Sequence, residues 1–148
     1  MQTWRGCAVP EDLLYDVERN VWVRLEGNTA VVGMTDVSQT MCGRFVEITW
    51  RGLGRTIARG RTLAVVESAK WVGPFPAPLT GVLIENNDDA FAADIAVANR
   101  DPYGAGWLVR IEPTSREEIS ELVDATVAYE RYKDFINDND IHCFRCED

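Results

Sequence analysis

Residues 63–84 read LAVVESAKWVGPFPAPLTGVLI, and the lysine inside that stretch, Lys70, governs the reading of the whole chain. Of 15 basic side chains only Lys70 and Lys133 are lysines. Arginine is a permanently charged planar fork, whereas a lysine amine can lose its proton and be acylated. Residues 63–66 are a short apolar, partly β-branched run that reads as a buried strand. Glu67-Ser68-Ala69-Lys70 ends it in polar and small residues, which suits a tight turn with Lys70 at its tip. Trp71-Val72 starts a return strand. Pro74, Pro76 and Pro78 put that return on a sheet edge or outside regular pairing, because proline cannot donate to a ladder. A lysine on the tip of a rigid hairpin can be presented to a modifying ligase and then to several other proteins.

Outward from the hairpin, the chain reads as short strands separated by turn residues. Residues 21–25 and 29–33 are strand-like, and Glu26-Gly27-Asn28 between them has hairpin turn chemistry. Residues 36–40 suit a turn of helix, residues 44–50 alternate like a half-buried strand, and Gly52, Gly54 and Gly60 punctuate the stretch from there to the hairpin. Residues 10–19 predict a short helical turn, with Pro10 at a first-turn position and Glu11 and Asp12 near its positive end. Beyond the hairpin, residues 91–98 predict a short helix and residues 107–111 a final strand. Thr114-Ser115-Arg116-Glu117-Glu118 contains two overlapping capping boxes, with Ile119, Leu122 and Val123 on the inner face of the helix they would start. Residues 127–136 form a further amphipathic stretch, which carries Lys133 as a solvated side chain. Closely spaced strands with glycine turns point to a mainly β sandwich or barrel.

The chain has 148 residues, the size of one domain, and can bury about 70% of its unfolded surface without staples. A net charge of −9 argues against nucleic acid or an anionic membrane as partner. No apolar run approaches the ~20 residues that span a bilayer. Residues 1–10 lack a signal peptide's apolar core, so the sequence predicts a cytoplasmic protein whose four cysteines are mostly reduced.

Glu67-Ser68-Ala69-Lys70 followed by Pro78-x-x-Gly81 resembles the lipoyl-lysine hairpin of the glycine-cleavage H-protein family. The resemblance extends to Val9-Pro10-Glu11-Asp12-Leu13, Val21-Trp22-Val23-Arg24, Val32-Gly33-Met34-Thr35-Asp36-x-x-Gln39 and Gly43 upstream. Downstream it includes Asn87 and Asn99-Arg100-Asp101-Pro102-Tyr103-Gly104-Ala105-Gly106-Trp107. It implies a lipoyl-domain fold, a flattened barrel of two small antiparallel sheets, over residues 1–125, with residues 126–148 as a helical extension and cysteine-containing tail. It also implies lipoic acid in amide linkage to Lys70, with Glu67 and Ser68 as accompanying site residues. The 101–104 turn should lie close to the hairpin in an architectural role. The implied role is a monomeric carrier, not an enzyme: the one histidine, His142, stands in the tail without a placed acid or nucleophile.

Departures from the family pattern, Asn20-Val21 ahead of Trp22, Trp71 after the lysine and the Arg5-Gly6-Cys7 segment, look more like the H-like lipoate-binding proteins of sulfur-oxidising bacteria. That likeness implies a heterodisulfide-reductase-like complex as partner. The alternative is glycine cleavage, with its P, T and L proteins and an aminomethyl passenger. Either role requires a lipoate ligase or lipoyl transferase, and dihydrolipoamide dehydrogenase is a further partner. A biotin carrier would have methionines flanking the lysine, where Ala69 and Trp71 stand; an unmodified binding module is a further alternative.

The tail, His142-Cys143-Phe144-Arg145-Cys146, comes after a polar break at residues 137–140 and should lie outside the core. Its Cys-x-x-Cys admits three readings: ordinary reduced thiols, a redox pair of Cys143 and Cys146, or half of a zinc site completed by Cys7, Cys42 or His142. A thioredoxin-like enzyme would need a βαβ context, which the sequence lacks.

Overall fold

A computed structural model describes residues 1–147. The chain opens with strands β1 (Gln2–Trp4), β2 (Cys7–Val9), β3 (Leu14–Asp16), β4 (Val21–Glu26) and β5 (Thr29–Met34), then helix α1 (Asp36–Cys42). Strands β6 (Phe45–Trp50), β7 (Thr56–Ile57), β8 (Thr62–Ser68), β9 (Val72–Pro76) and β10 (Gly81–Asn86) come next. Helices α2 (Asp88–Ala93) and α3 (Val97–Arg100) lead to β11 (Val109–Pro113), a 3-10 segment (Arg116–Glu121) and α4 (Ala125–Asp138). The six-stranded sheet has the order β3-β4-β5-β11-β10-β7 and the three-stranded sheet β6-β8-β9, while β1 and β2 form a separate hairpin. All pairings are antiparallel. The expected mainly β lipoyl-domain fold is present, with the β1–β2 hairpin as an added third sheet.

Strand alternation splits the apolar residues between two cores. Val21, Val23, Ala30 and Val32 point from β4 and β5 into the space between the larger sheets, where they meet Leu63, Val66, Phe75 and Leu83. Trp22 and Val31 point the other way and pack with Tyr15, Val37, Tyr132 and Ile136 under α1 and α4. A buried aromatic side chain removes ~150–250 Å² from water, so Trp22 and Tyr132 anchor this second core. The Trp22 indole N–H donates to the Pro102 carbonyl at 2.9 Å, which satisfies its buried polar atom.

Four local expectations change. Residues 10–19 form no helix. Tyr15 instead pairs with Trp22, and its amide and carbonyl are both taken by Val123, at 2.8 and 2.9 Å. The 91–98 helix is broken at Asp94, which is extended; its carboxylate accepts from the Ala96 amide and from Arg100 Nε, restarting the chain as α3. Ser115 caps the segment without a side-chain bond, and its box partner, the Glu118 carboxylate, is engaged instead by the Thr80 amide and hydroxyl at 2.7 and 3.0 Å. The segment is therefore 3-10, although Leu122 and Ile119 still reach the core. The tail also does not lie free but docks against α1, where Gln39 binds the Phe144 carbonyl.

The prolines act as the sequence requires: β9 is an edge strand and contains Pro74 and Pro76. Among the described residues no helix is long and apolar enough to cross a membrane.

Gly33 faces Trp22 in register, and a Cβ there would sit 2.5–2.7 Å from three atoms of the immobile indole ring. Gly33→Ala should therefore lower stability by about 1–3 kcal/mol through overpacking, measured by chemical denaturation; a loss under about 0.5 kcal/mol would mean that the ring yields.

Candidate functional site

The β8–β9 hairpin presents Lys70 because a buried serine shapes the turn. The Ser68 amide donates to the Trp71 carbonyl at 2.8 Å, closing the turn through Ala69 and Lys70. The Ser68 hydroxyl donates to the Cys42 carbonyl at 2.6 Å and accepts the Lys70 amide at 3.3 Å. One small side chain thus ties the turn to the end of α1. The Lys70 side chain is exposed and its stem lies over Gly43, where a Cβ would come within 2.8 Å of Lys70 Cε. Gly43 also has φ +88°, a conformation that disfavours side chains. Glu67 stands one residue below the turn, paired in register with Val72 on one side and Glu47 on the other. Adjacent carboxylates repel, so an acidic spot sits at the base of the lysine turn.

Asn99 fixes the floor. Its side-chain amide donates to the Gly43 carbonyl at 3.0 Å and to Gln39 Oε1 at 3.1 Å, and its oxygen accepts the Phe45 amide at 2.9 Å. Those groups belong to α1, the Gly43 turn and β6, three parts that must keep their places for Lys70 to keep its own. The 101–106 turn braces the other end of α1. The Tyr103 hydroxyl donates to the Ala8 carbonyl at 2.6 Å and accepts the Asp36 amide at 2.9 Å. Burial, then the nearby Asp36 carboxylate, raises the Tyr103 phenol well above its ordinary pKa, so it remains a donor. The turn thus braces β2 and the N-terminal end of α1, whereas the hairpin meets the C-terminal end of that helix.

Beside the hairpin is a cavity of about 450 Å³ with an apolar wall of Met34, Met41, Cys42, Trp71 and Phe75 and a polar rim that includes Arg19. Burial pushes the Cys42 thiol pKa up, opposed by the Ser68 hydroxyl and the Lys70 ammonium. The other lysine, Lys133, is differently placed. Its ammonium lies 5.2 and 5.3 Å from the Trp4 and Tyr129 ring centroids and 3.8 Å from Glu130.

The cysteines depart from expectation. Cys143 is bonded to Cys7, 136 residues away, and not paired with Cys146; Cys42 and Cys146 are free. Two of the four cysteines are therefore oxidised, and the Cys143–Cys146 redox pair is not formed. The approach depends on Gly6 at φ +79°, over whose Cα the Cys143 carbonyl passes, and on the Cys143 amide donating to the Arg5 carbonyl at 3.0 Å. The tail then docks. Gln39 Nε2 donates to the Phe144 carbonyl at 2.8 Å, and the Cys146 amide donates to the Asn99 carbonyl at 2.9 Å. Arg145 grips the buried Asp36 carboxylate with bonds of 2.9 and 3.0 Å, which raises the arginine's pKa further. With Cys7 and Cys143 joined, they cannot serve as thiolate zinc ligands, and no group of three or more His, Cys, Asp or Glu among the described residues could hold a metal ion. Sequence reasoning missed this docking: four cysteines offer six possible single bridges and nothing in their spacing chooses among them.

A family model described as glycine cleavage H-protein matches residues 13–135. Glycine cleavage system H protein 3 of Aquifex aeolicus is 42% identical, over 97% of this chain and 91% of its own. Probable glycine cleavage system H protein 2 of Sulfolobus acidocaldarius is 39% identical, over 96% of this chain and 97% of its own. The crystal structure of a glycine cleavage system H protein from Mycobacterium marinum superposes with a TM-score of 0.73 at 31% identity, covering 84% of this chain and 98% of that one.

Asn99→Ala strands the buried Phe45 amide and Gly43 carbonyl, so it should cost about 1–3 kcal/mol in denaturant unfolding. A loss below about 0.5 kcal/mol would show that water replaces the side chain and that it clamps nothing.

Proposed function

The chain belongs to the glycine cleavage H-protein family, and on that premise we propose that Lys70 is its lipoyl-bearing lysine and that it serves the glycine cleavage system. Members of this family are carriers, not enzymes, with lipoate attached covalently to a lysine. The observation that carries the assignment is the contrast between the chain's two lysines. Lys70 is exposed on a hydrogen-bonded hairpin turn, while Lys133 lies against two aromatic rings and a glutamate. The surroundings of Lys70 fit the group: an acyl chain extending from the turn would have the apolar wall of the neighbouring cavity beside it.

The bound lipoyl group would supply a cyclic disulfide that a partner's nucleophile or reductant can open. The chain's residues hold and present it. Ser68 and Gly43 keep the lysine's backbone and stem in one place, so partners meet the same tip each time. Tethering on the chain raises the arm's local concentration to roughly the millimolar range, so each docking event can be weak. Glu67 and Glu47 give the ligase an acidic feature to read at the hairpin base.

The partners on this reading are a lipoate ligase or transferase and the glycine-cleavage P, T and L proteins. The glycine-cleavage names of the relatives described above support it over a heterodisulfide-reductase-like complex.

Lys70→Arg should unfold within a few degrees of the parent protein, since an exposed turn residue contributes little. It should accept no lipoate and support no glycine turnover when mixed with P, T and L proteins. Full turnover by the arginine variant would refute the assignment; a lipoylated parent that is inactive in that mixture would keep the carrier and reject the pathway. Glu67→Ala should slow lipoylation by the ligase without moving the melting temperature. An unchanged rate would leave Glu67 a surface charge.

A further inference from the structure

The disulfide and the lysine hairpin are the two ends of one hydrogen-bonded path. Cys143 is fixed to Cys7, and the next three residues of the tail each hold a different part of the hairpin's support. Phe144 offers its carbonyl to Gln39 at 2.8 Å and stands 3.4 Å from the Thr40 hydroxyl. Arg145 takes both oxygens of Asp36, which is 1% exposed and also accepts the Ala8 amide at 2.9 Å. Cys146 donates its amide to Asn99 at 2.9 Å. Asn99 and Gln39 are bonded to each other and Asn99 to Gly43, on which the Lys70 stem rests, while the next carbonyl back, that of Cys42, receives Ser68. No link in this path is longer than one side chain.

We propose that the Cys7–Cys143 bond is a thiol–disulfide exchange site for dithiols and that the tail is a latch whose release loosens the Lys70 hairpin. The half-buried Cys143 is the sulfur open to attack, since Cys7 is 1% exposed within the second core. A thiolate of the dithiol attacks Cys143 Sγ; the Sγ–Sγ bond breaks and Cys7 leaves as a thiolate that takes a proton. The dithiol's second thiolate then attacks its own bonded sulfur and displaces Cys143 as a thiol. The dithiol ends as a cyclic disulfide, two electrons having passed to the two cysteines.

Cys7 stays packed among Val9, Tyr15 and Val37, whereas residues 143–147 lose the covalent bond that fixes them. Without that tether the tail must hold itself by the bidentate Arg145–Asp36 pair, the stacking of Arg145 over the Tyr103 ring and four hydrogen bonds to its backbone, against the entropy of a free chain end. Its departure leaves the Asp36 carboxylate with the Ala8 amide but without its arginine, and the Gln39 side-chain amide with the Thr40 hydroxyl as its remaining acceptor, an arrangement that favours opening of the α1 end. Asn99 and Gly43 belong to that opening unit, so the ordered base of the lysine turn loosens with it.

The test uses the unmodified chain, so its outcome is independent of whether Lys70 carries lipoate. The chain is incubated in native buffer with or without dithiothreitol, quenched in acid, then denatured and alkylated so that the buried Cys7 and Cys42 are counted by mass as well, and backbone amide exchange is followed by mass spectrometry. Dithiothreitol should raise the free thiols from two to four. It should speed exchange about tenfold in segments 36–45 and 66–72 as well as in the tail. Cys143→Ser should show the fast exchange without any dithiol and gain nothing from its addition. Should that variant not fold, reduction of the parent chain reads the same change. Exchange in segments 36–45 and 66–72 that stays within about twofold on reduction would overturn the latch. A bond that excess dithiothreitol leaves intact in the native protein would overturn the exchange site.

Discussion

The structure turns on how a single buried amide, that of Asn99, is used. It is 1% exposed and satisfies three partners on three segments: the end of α1, the Gly43 turn and the start of β6. A hydrogen bond on the surface would exchange freely with water, but a buried group must find a partner or incur its full desolvation cost. That difference turns a contact into a constraint. Residue 43 can therefore be a glycine at positive φ, flat enough for a lysine stem to lie across it, without the chain collapsing there. Ser68 completes the arrangement from the hairpin side by binding the carbonyl of Cys42, one residue before Gly43.

The second core serves the same end at longer range. Trp22 binds the Pro102 carbonyl, and the adjacent Tyr103 spans Ala8 and Asp36. Through these bonds the buried aromatic layer beneath α4 sets the position of the N-terminal end of α1, and Asn99 sets its C-terminal end. The carrier function needs only this: a lysine held in one place relative to a rigid body. The catalytic chemistry lies with the cofactor and its partners.

Much of this was legible in the sequence because the strongest signals are local. The alternation in residues 21–33, the turn at Gly27-Asn28 and the prolines of β9 each specify their own backbone. Lys70 could be read from its rarity and from the turn around it. What failed were elements decided by distant partners. Residues 10–19 have a helix's opening residues, yet Val123, more than a hundred positions away, takes the backbone bonds of Tyr15. Glu118 matches a capping box but answers to Thr80. The Cys-x-x-Cys looks like a unit because its members are close in sequence, while the bare Cα of Gly6 lets the Cys143 backbone come close enough for Cys7 to be its partner. Arg145 and Asp36 carry no local mark of each other at all.

The central claim, that the chain is a lipoyl carrier acting through Lys70, is tested most directly by mapping where lipoate resides. The protein would be produced with a lipoate ligase and lipoic acid, digested, and its peptides identified by mass spectrometry. A lipoyl adduct is predicted on the peptide that contains Lys70, with Lys133 unmodified. An adduct on Lys133, or a fully folded chain that the ligase leaves bare at Lys70, would contradict the claim.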